Sequence, residues 1–201
     1  MIQIPMIPLP KDYHIYPQEK LIQMSNLIFL YPILYLYSLK PKKTIYTKLL
    51  YLHLCLLFIA TSYYHLNPTT TRLLPDMFAV SSLTTLSSLI LLDIPEKHII
   101  SMYILSVSSL IYFHYTKNSI AHICIVGGVP AYTSFQLWNT GVNKEILEIG
   151  GYLLLSRITE HNDRNMYSLT NQMISGHLFK HILSMIMILK IIQLMERLHK
   201  I

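Results

Sequence analysis

His177 and His181 stand four residues apart at the head of the last apolar stretch of the chain, SGHLFKHILSMIMILKIIQLM. In a helix, positions i and i+4 share one face, one turn apart, so two imidazoles so placed can share a metal ion. A third, His65, closes an early apolar stretch, and Asp76 follows it in TSYYHLNPTTTRLLPD. Three neutral imidazoles suit Zn2+, which leaves a fourth tetrahedral place for a water and lowers its pKa towards ~7. Asp76 is the carboxylate that can take the proton and deliver it to a leaving group. Thr61 lies four residues before His65, on the same helix face, where its hydroxyl can orient the water or stabilise a developing oxyanion. The same residues have plainer uses. A histidine at a helix end anchors at headgroups, Asp76 can cap a helix, and pairs four apart arise by chance in a chain with 10 histidines. Spacing alone leaves the metal open.

The elements that carry these residues are apolar stretches of membrane length, about 20 residues each. The sequence predicts seven helices, over about 21–39, 45–65, 74–92, 99–115, 120–138, 146–158 and 173–194. The fifth contains Gly127, Gly128 and Pro130, where a kink is expected. The sixth is short, tilted or partly inserted. The longest polar linker, RITEHNDRNMYSLTNQ, precedes the last helix. Short connections favour an up-and-down bundle, so the fold class is all-α, a seven-transmembrane helix bundle forming one domain over 1–201. The second and seventh helices stand an odd number of places apart, so the face on which one ends is the face on which the other begins. His65, Asp76, His177 and His181 then meet at one depth on one side.

Composition agrees with a membrane setting. Charged residues make up 13%, about half the ~25% of a soluble protein, and mean hydropathy is +0.41. The net charge of +6 comes from Lys and Arg between apolar runs, where they anchor helices at anionic headgroups. No basic patch interleaves with exposed aromatics, which speaks against nucleic acid. Their distribution, resting on KPKK, favours an N-terminus outside or lumenal and a C-terminus in the cytoplasm. Cys55 and Cys124 are isolated in apolar stretches, with no CxxC pattern. They read as small buried hydrophobes. The N-terminus lacks a basic region before an apolar core and does not read as a cleaved signal peptide.

SYYHLNP, the aspartate eleven residues after its histidine, and SGHLFKH at the head of the last helix resemble the alkaline ceramidase family. That family sits in a wider superfamily of seven-helix membrane hydrolases with adiponectin-receptor-like proteins and GPI-lipid remodelling factors. Asp12-Tyr13-His14, Ser25-Asn26, Glu160, Asp163 and Arg164 echo it further, and the likeness is greatest to compact bacterial-type members with a Ser-Gly-His-x-x-Lys-His signature. The resemblance implies zinc on His65, His177 and His181, with Asp76 as general acid/base. It implies a hydroxyl four residues before the first histidine, usually serine; here Thr61 stands there, with Ser62 beside it. The acidic N-terminal segment that eukaryotic members share is reduced to KDYHIYPQEK, and Asp12 with Glu19 are too few for a calcium cage. No calcium site is expected by this route.

The implied reaction is hydrolysis of a ceramide-like lipid amide to a fatty acid and a long-chain base, the lipid arriving from the bilayer. Two other functions stay open: a lipid ester hydrolase of the same superfamily, and a receptor-like protein in which zinc is structural. Among the remaining polar residues, His53 falls about 120° round the helix from His65 and ~18 Å away, so it is not a fourth ligand. His98, His114, His122 and His199 read as interfacial, and His161 as a surface or entrance residue. Lys180 snorkels or meets an acid such as Asp163. SSLTTLSS in the third helix reads as packing or back-bonding to its own helix, and Trp138 with the tyrosines as interface belts.

Overall fold

The structure is a computed structural model, and it describes residues 24–41, 44–66, 70–116, 119–170, 175–198 and 200–201. All regular structure among them is helical. A 3-10 turn, Asn26–Phe29, leads into α1 (Leu30–Ser38). α2 (Ile45–Leu66), α3 (Thr70–Leu91), α4 (Glu96–Tyr115) and α5 (Ser119–Leu137) follow. After a second 3-10 turn come α6 (Asn143–His161), α7 (Asp163–Leu169) and α8 (Gly176–Arg197). Each expected helix is present. α2 and α8 are long and apolar enough, by length and composition, to cross a membrane; Asn26–Ser38 and Pro75–Leu91 are shorter apolar helices.

Three expectations are corrected. The sixth helix is not short: α6 runs Asn143–His161, because Glu145 sits in its first turn, where a carboxylate favours the helix dipole. The polar linker after it contains α7, opened by Asp163 in the same way. The third helix starts at Thr70 rather than near Leu74, with Pro75 inside it. Asp76 therefore lies nearly two turns in and is not an N-cap.

Core-facing stripes run at helical spacing. α2 buries Leu50, Leu54 and Leu57, and α3 buries Leu83, Leu86 and Ile90 against them. α8 buries Ile188, Ile192 and Met195. These positions recur at i, i+3, i+4 and i+7, the signature of one helix face. Extended towards the end of α2, the stripe reaches Thr61 and His65; extended towards the start of α8, it reaches His181 and His177. The histidines thus occupy core positions of the helices that carry them.

α6 packs against α8 antiparallel. Three glutamates of α6 meet three cations of α8 in reverse order: Glu160 with Lys180, Glu148 with Lys190, and Glu145 with Arg197. The Ser/Thr run of α3 is largely buried, with Ser82 Oγ donating to the Ala79 carbonyl and Thr84 Oγ1 to that of Val80. That is the back-bonded, packing role expected of it. α5 continues through Pro130.

Candidate metal centre

His65, His177 and His181 are all buried, at 3–4% exposure. One nitrogen from each lies within 4.8 Å of the other two. His65 Nε2 and His177 Nε2 are 3.3 Å apart, and the ring centroids are 4.6–4.9 Å from one another. The cluster is suited to a metal ion, because three nitrogen donors converge. Imidazoles gathered away from water keep their polar nitrogens only where those are satisfied, and a shared metal ion would satisfy one from each ring.

The first turn of α8 is fastened by neighbouring elements. Ser175 caps the helix, its Oγ accepting from the Leu178 amide at 3.2 Å. Asp163, at the start of α7, accepts from the His177 amide at 2.7 Å and from the Gly176 amide. Free N–H groups at a helix start need such acceptors, and a carboxylate there also meets the positive end of the helix dipole. Burial pushes the Asp163 carboxyl above its ordinary value, against the pull of these two amides. Gly176 is required for space. A Cβ there would come 1.9 Å from the Thr159 carbonyl oxygen, so α8 touches α6 backbone to backbone at the residue before His177.

On the far side of the cluster, the N-terminal turn reaches His181. Ser25 Oγ is hydrogen-bonded to His181 Nδ1 at 2.7 Å, and the Phe29 ring meets the imidazole edge-on at 5.5 Å. At the end of α2, Thr61 Oγ1 donates to Asp76 Oδ1 at 2.5 Å. Thr61 is buried, while Ser62 and Asp76 are partly so. Thr61, rather than Ser62, is therefore the hydroxyl on the carboxylate.

Lys180 extends to Glu160 at 2.5 Å, and Arg157 holds the second oxygen of that carboxylate at 3.0 Å. Of the two alternatives for Lys180, snorkelling or an acid partner, the structure shows an acid partner, Glu160; Asp163 is taken by the amides of α8. Lys180 lies within electrostatic reach of all three histidines and of Asp76. Sequence reasoning placed the histidines, Thr61 and Asp76, but not the second grip on His181. Ser25 stood out only as part of a motif echo, because 156 residues separate it from its partner.

His53 is elsewhere. Its Nδ1 meets the Leu49 carbonyl at 2.7 Å and its Nε2 meets the Tyr103 hydroxyl, so both nitrogens are used. His98 and His161 are exposed, and Cys55 is half-buried rather than buried. The side chains of His114, His122, Cys124 and Arg164 lie outside the described residues. So do His199 and the motif at Asp12-Tyr13-His14.

Comparison with protein-family models, with curated proteins and with solved structures finds no match.

Proposed function

We propose that this chain is a zinc-dependent hydrolase of the membrane that cleaves the amide bond of a ceramide-like lipid. The observation that carries the proposal is the buried three-histidine cluster, its nitrogens within 4.8 Å of one another and the His65–His177 pair 3.3 Å apart. Zinc–imidazole bonds of about 2.0–2.1 Å in a tetrahedron put neighbouring ligand nitrogens about 3.3–3.4 Å apart. His65, His177 and His181 hold the metal. The chemistry a zinc ion supplies when bound there is Lewis acidity towards the amide carbonyl and the attacking water.

The chain's own residues move the proton. Asp76 takes it from the attacking water as the new C–O bond forms, then gives it to the departing nitrogen as the C–N bond breaks. Fatty acid and long-chain base leave. Thr61 donates to Asp76 Oδ1 and leaves the other carboxylate oxygen as the acceptor. This refines the role expected of Thr61: its proton is committed to Asp76, so it acts by positioning the base. The resemblance to alkaline ceramidases names the amide. The tethered carboxylate favours catalysis over a purely structural zinc, which has no use for a base.

The membrane reading is a single seven-span domain over 1–201, formed by 3-10–α1, α2, α3, α4, α5, α6 and α8. Outward apolar side chains on the helices support it: Leu34 on α1, Ile59 on α2, Leu105 on α4, Phe135 on α5 and Leu154 on α6 are all exposed. In water such coverage is an aggregation hazard; in lipid it is the required surface. Pairing with α8 neutralises the glutamates of α6, which makes its insertion tolerable.

The test is lipid hydrolysis by purified protein in detergent. Ceramide is cleaved and His177→Ala is inactive under this reading. Cleavage of a phospholipid or other ester with ceramide left intact assigns the ester reaction instead. Full activity of His177→Ala ends the proposal.

A further inference from the structure

We infer that Ser25 is the outer-shell residue that fixes His181 for metal binding, so that the N-terminal turn is a working part of the metal centre. The inference rests on the reading of the three histidines as a metal site.

An imidazole that binds a metal through one nitrogen must direct that lone pair inward, and the hydrogen bond made by the other nitrogen sets the tautomer and the ring plane. His181 Nδ1 is engaged by Ser25 Oγ at 2.7 Å. With Nδ1–H donating to that oxygen, Nε2 is the unprotonated nitrogen left for the cluster. Phe29, four residues on, sets its ring against the same imidazole. Ser25 and Phe29 thus hold His181 by one hydrogen bond and one ring contact, both from the short segment before α1. Burial strengthens the case: Ser25 is 6% and His181 4% exposed, so bulk water does not offer Nδ1 a ready substitute acceptor. This turn packs against both helices that carry the histidines, α2 and α8.

The experiment is zinc affinity by chelator competition on full-length protein in detergent micelles, alongside the thermal midpoint of the metal-free protein. Loss of such an outer-shell partner typically weakens metal binding about 10–100-fold. Ser25→Ala is expected to show that loss with an unchanged metal-free midpoint, and Ser25→Thr, which keeps the hydroxyl, to stay within about threefold of wild type. Should Ser25→Ala not fold, Ser25→Cys carries the same expectation, because a thiol is a weak acceptor of nearly the same size. Wild-type affinity in Ser25→Ala overturns the inference, as does equal loss in Ser25→Ala and Ser25→Thr with a fall in the metal-free midpoint. Wild-type protein that binds no zinc overturns the metal reading itself, and this inference with it.

Discussion

Thr61 Oγ1 and Asp76 Oδ1 are 2.5 Å apart, one hydrogen bond joining the penultimate turn of α2 to the second turn of α3. His65 lies one turn beyond Thr61 on the same buried stripe, so the carboxylate proposed as base is tied to the helix that carries a proposed ligand. Removing the hydroxyl frees the carboxylate without touching a proposed ligand. Thr61→Val is expected to keep zinc and to lose about 10–100-fold in kcat, the equivalent of about 1.5–3 kcal/mol for a hydrogen bond to a charged group. Thr61→Ser restores most of it. Steady-state kinetics with zinc analysis on the two variants checks this.

Gly176 has no room for a methyl group. Its Cβ would overlap the Thr159 carbonyl, a backbone atom that cannot step aside. Gly176→Ala is expected to destabilise the fold by about 3 kcal/mol or more and to displace His177. A thermal melt and a zinc titration should both register the change. Unaltered values in both would mean that α6 and α8 do not meet as described.

The Lys180 ammonium stands near the three imidazoles while bonded to Glu160. Glu160→Ala leaves that positive charge uncompensated beside the place a cation is to occupy. Zinc affinity is expected to fall about tenfold, and Glu160→Ala/Lys180→Met to recover part of it. Chelator competition on the single and double variants measures the coupling.

His53 provides the contrast. Both of its nitrogens are tied to Leu49 and Tyr103, far along α2 from the cluster. His53→Phe is expected to cost about 1–3 kcal/mol of stability with zinc content and activity per folded molecule retained. Circular dichroism melts and metal analysis separate this behaviour from that of His65→Ala, which loses the metal.

Seven spans put the two ends of the chain on opposite faces of the membrane, whereas two spans put them on the same face. Cysteine introduced at Met24 and at Lys200 should react with an impermeant maleimide from opposite sides of sealed vesicles. Labelling of both from one side would contradict the seven-span reading.

The helices and the meeting of His65 with His177 and His181 were legible because they follow from apolar runs and the antiparallel relation of the second and seventh stretches. Asp76 was placed at the right end but misjudged as near a helix start. Pro75 usually opens a helix, yet α3 begins at Thr70 with Pro75 inside it. α7 was hidden because seven polar-rich residues, DRNMYSL, have no apolar stripe to reveal them; they become helical by supplying Asp163 to the start of α8. The Glu160–Lys180 pair and the Ser25–His181 bond depend on register between distant segments, which composition and spacing do not encode.

The central claim is that three buried histidines hold a zinc ion for hydrolysis assisted by Asp76. Its most direct test is zinc content measured with ceramide hydrolysis on purified wild-type protein and Asp76→Ala. The account predicts about one zinc per chain in both, with fatty acid released by the wild type alone. Wild-type protein without zinc, or an Asp76→Ala variant that hydrolyses the lipid at the wild-type rate, would contradict it.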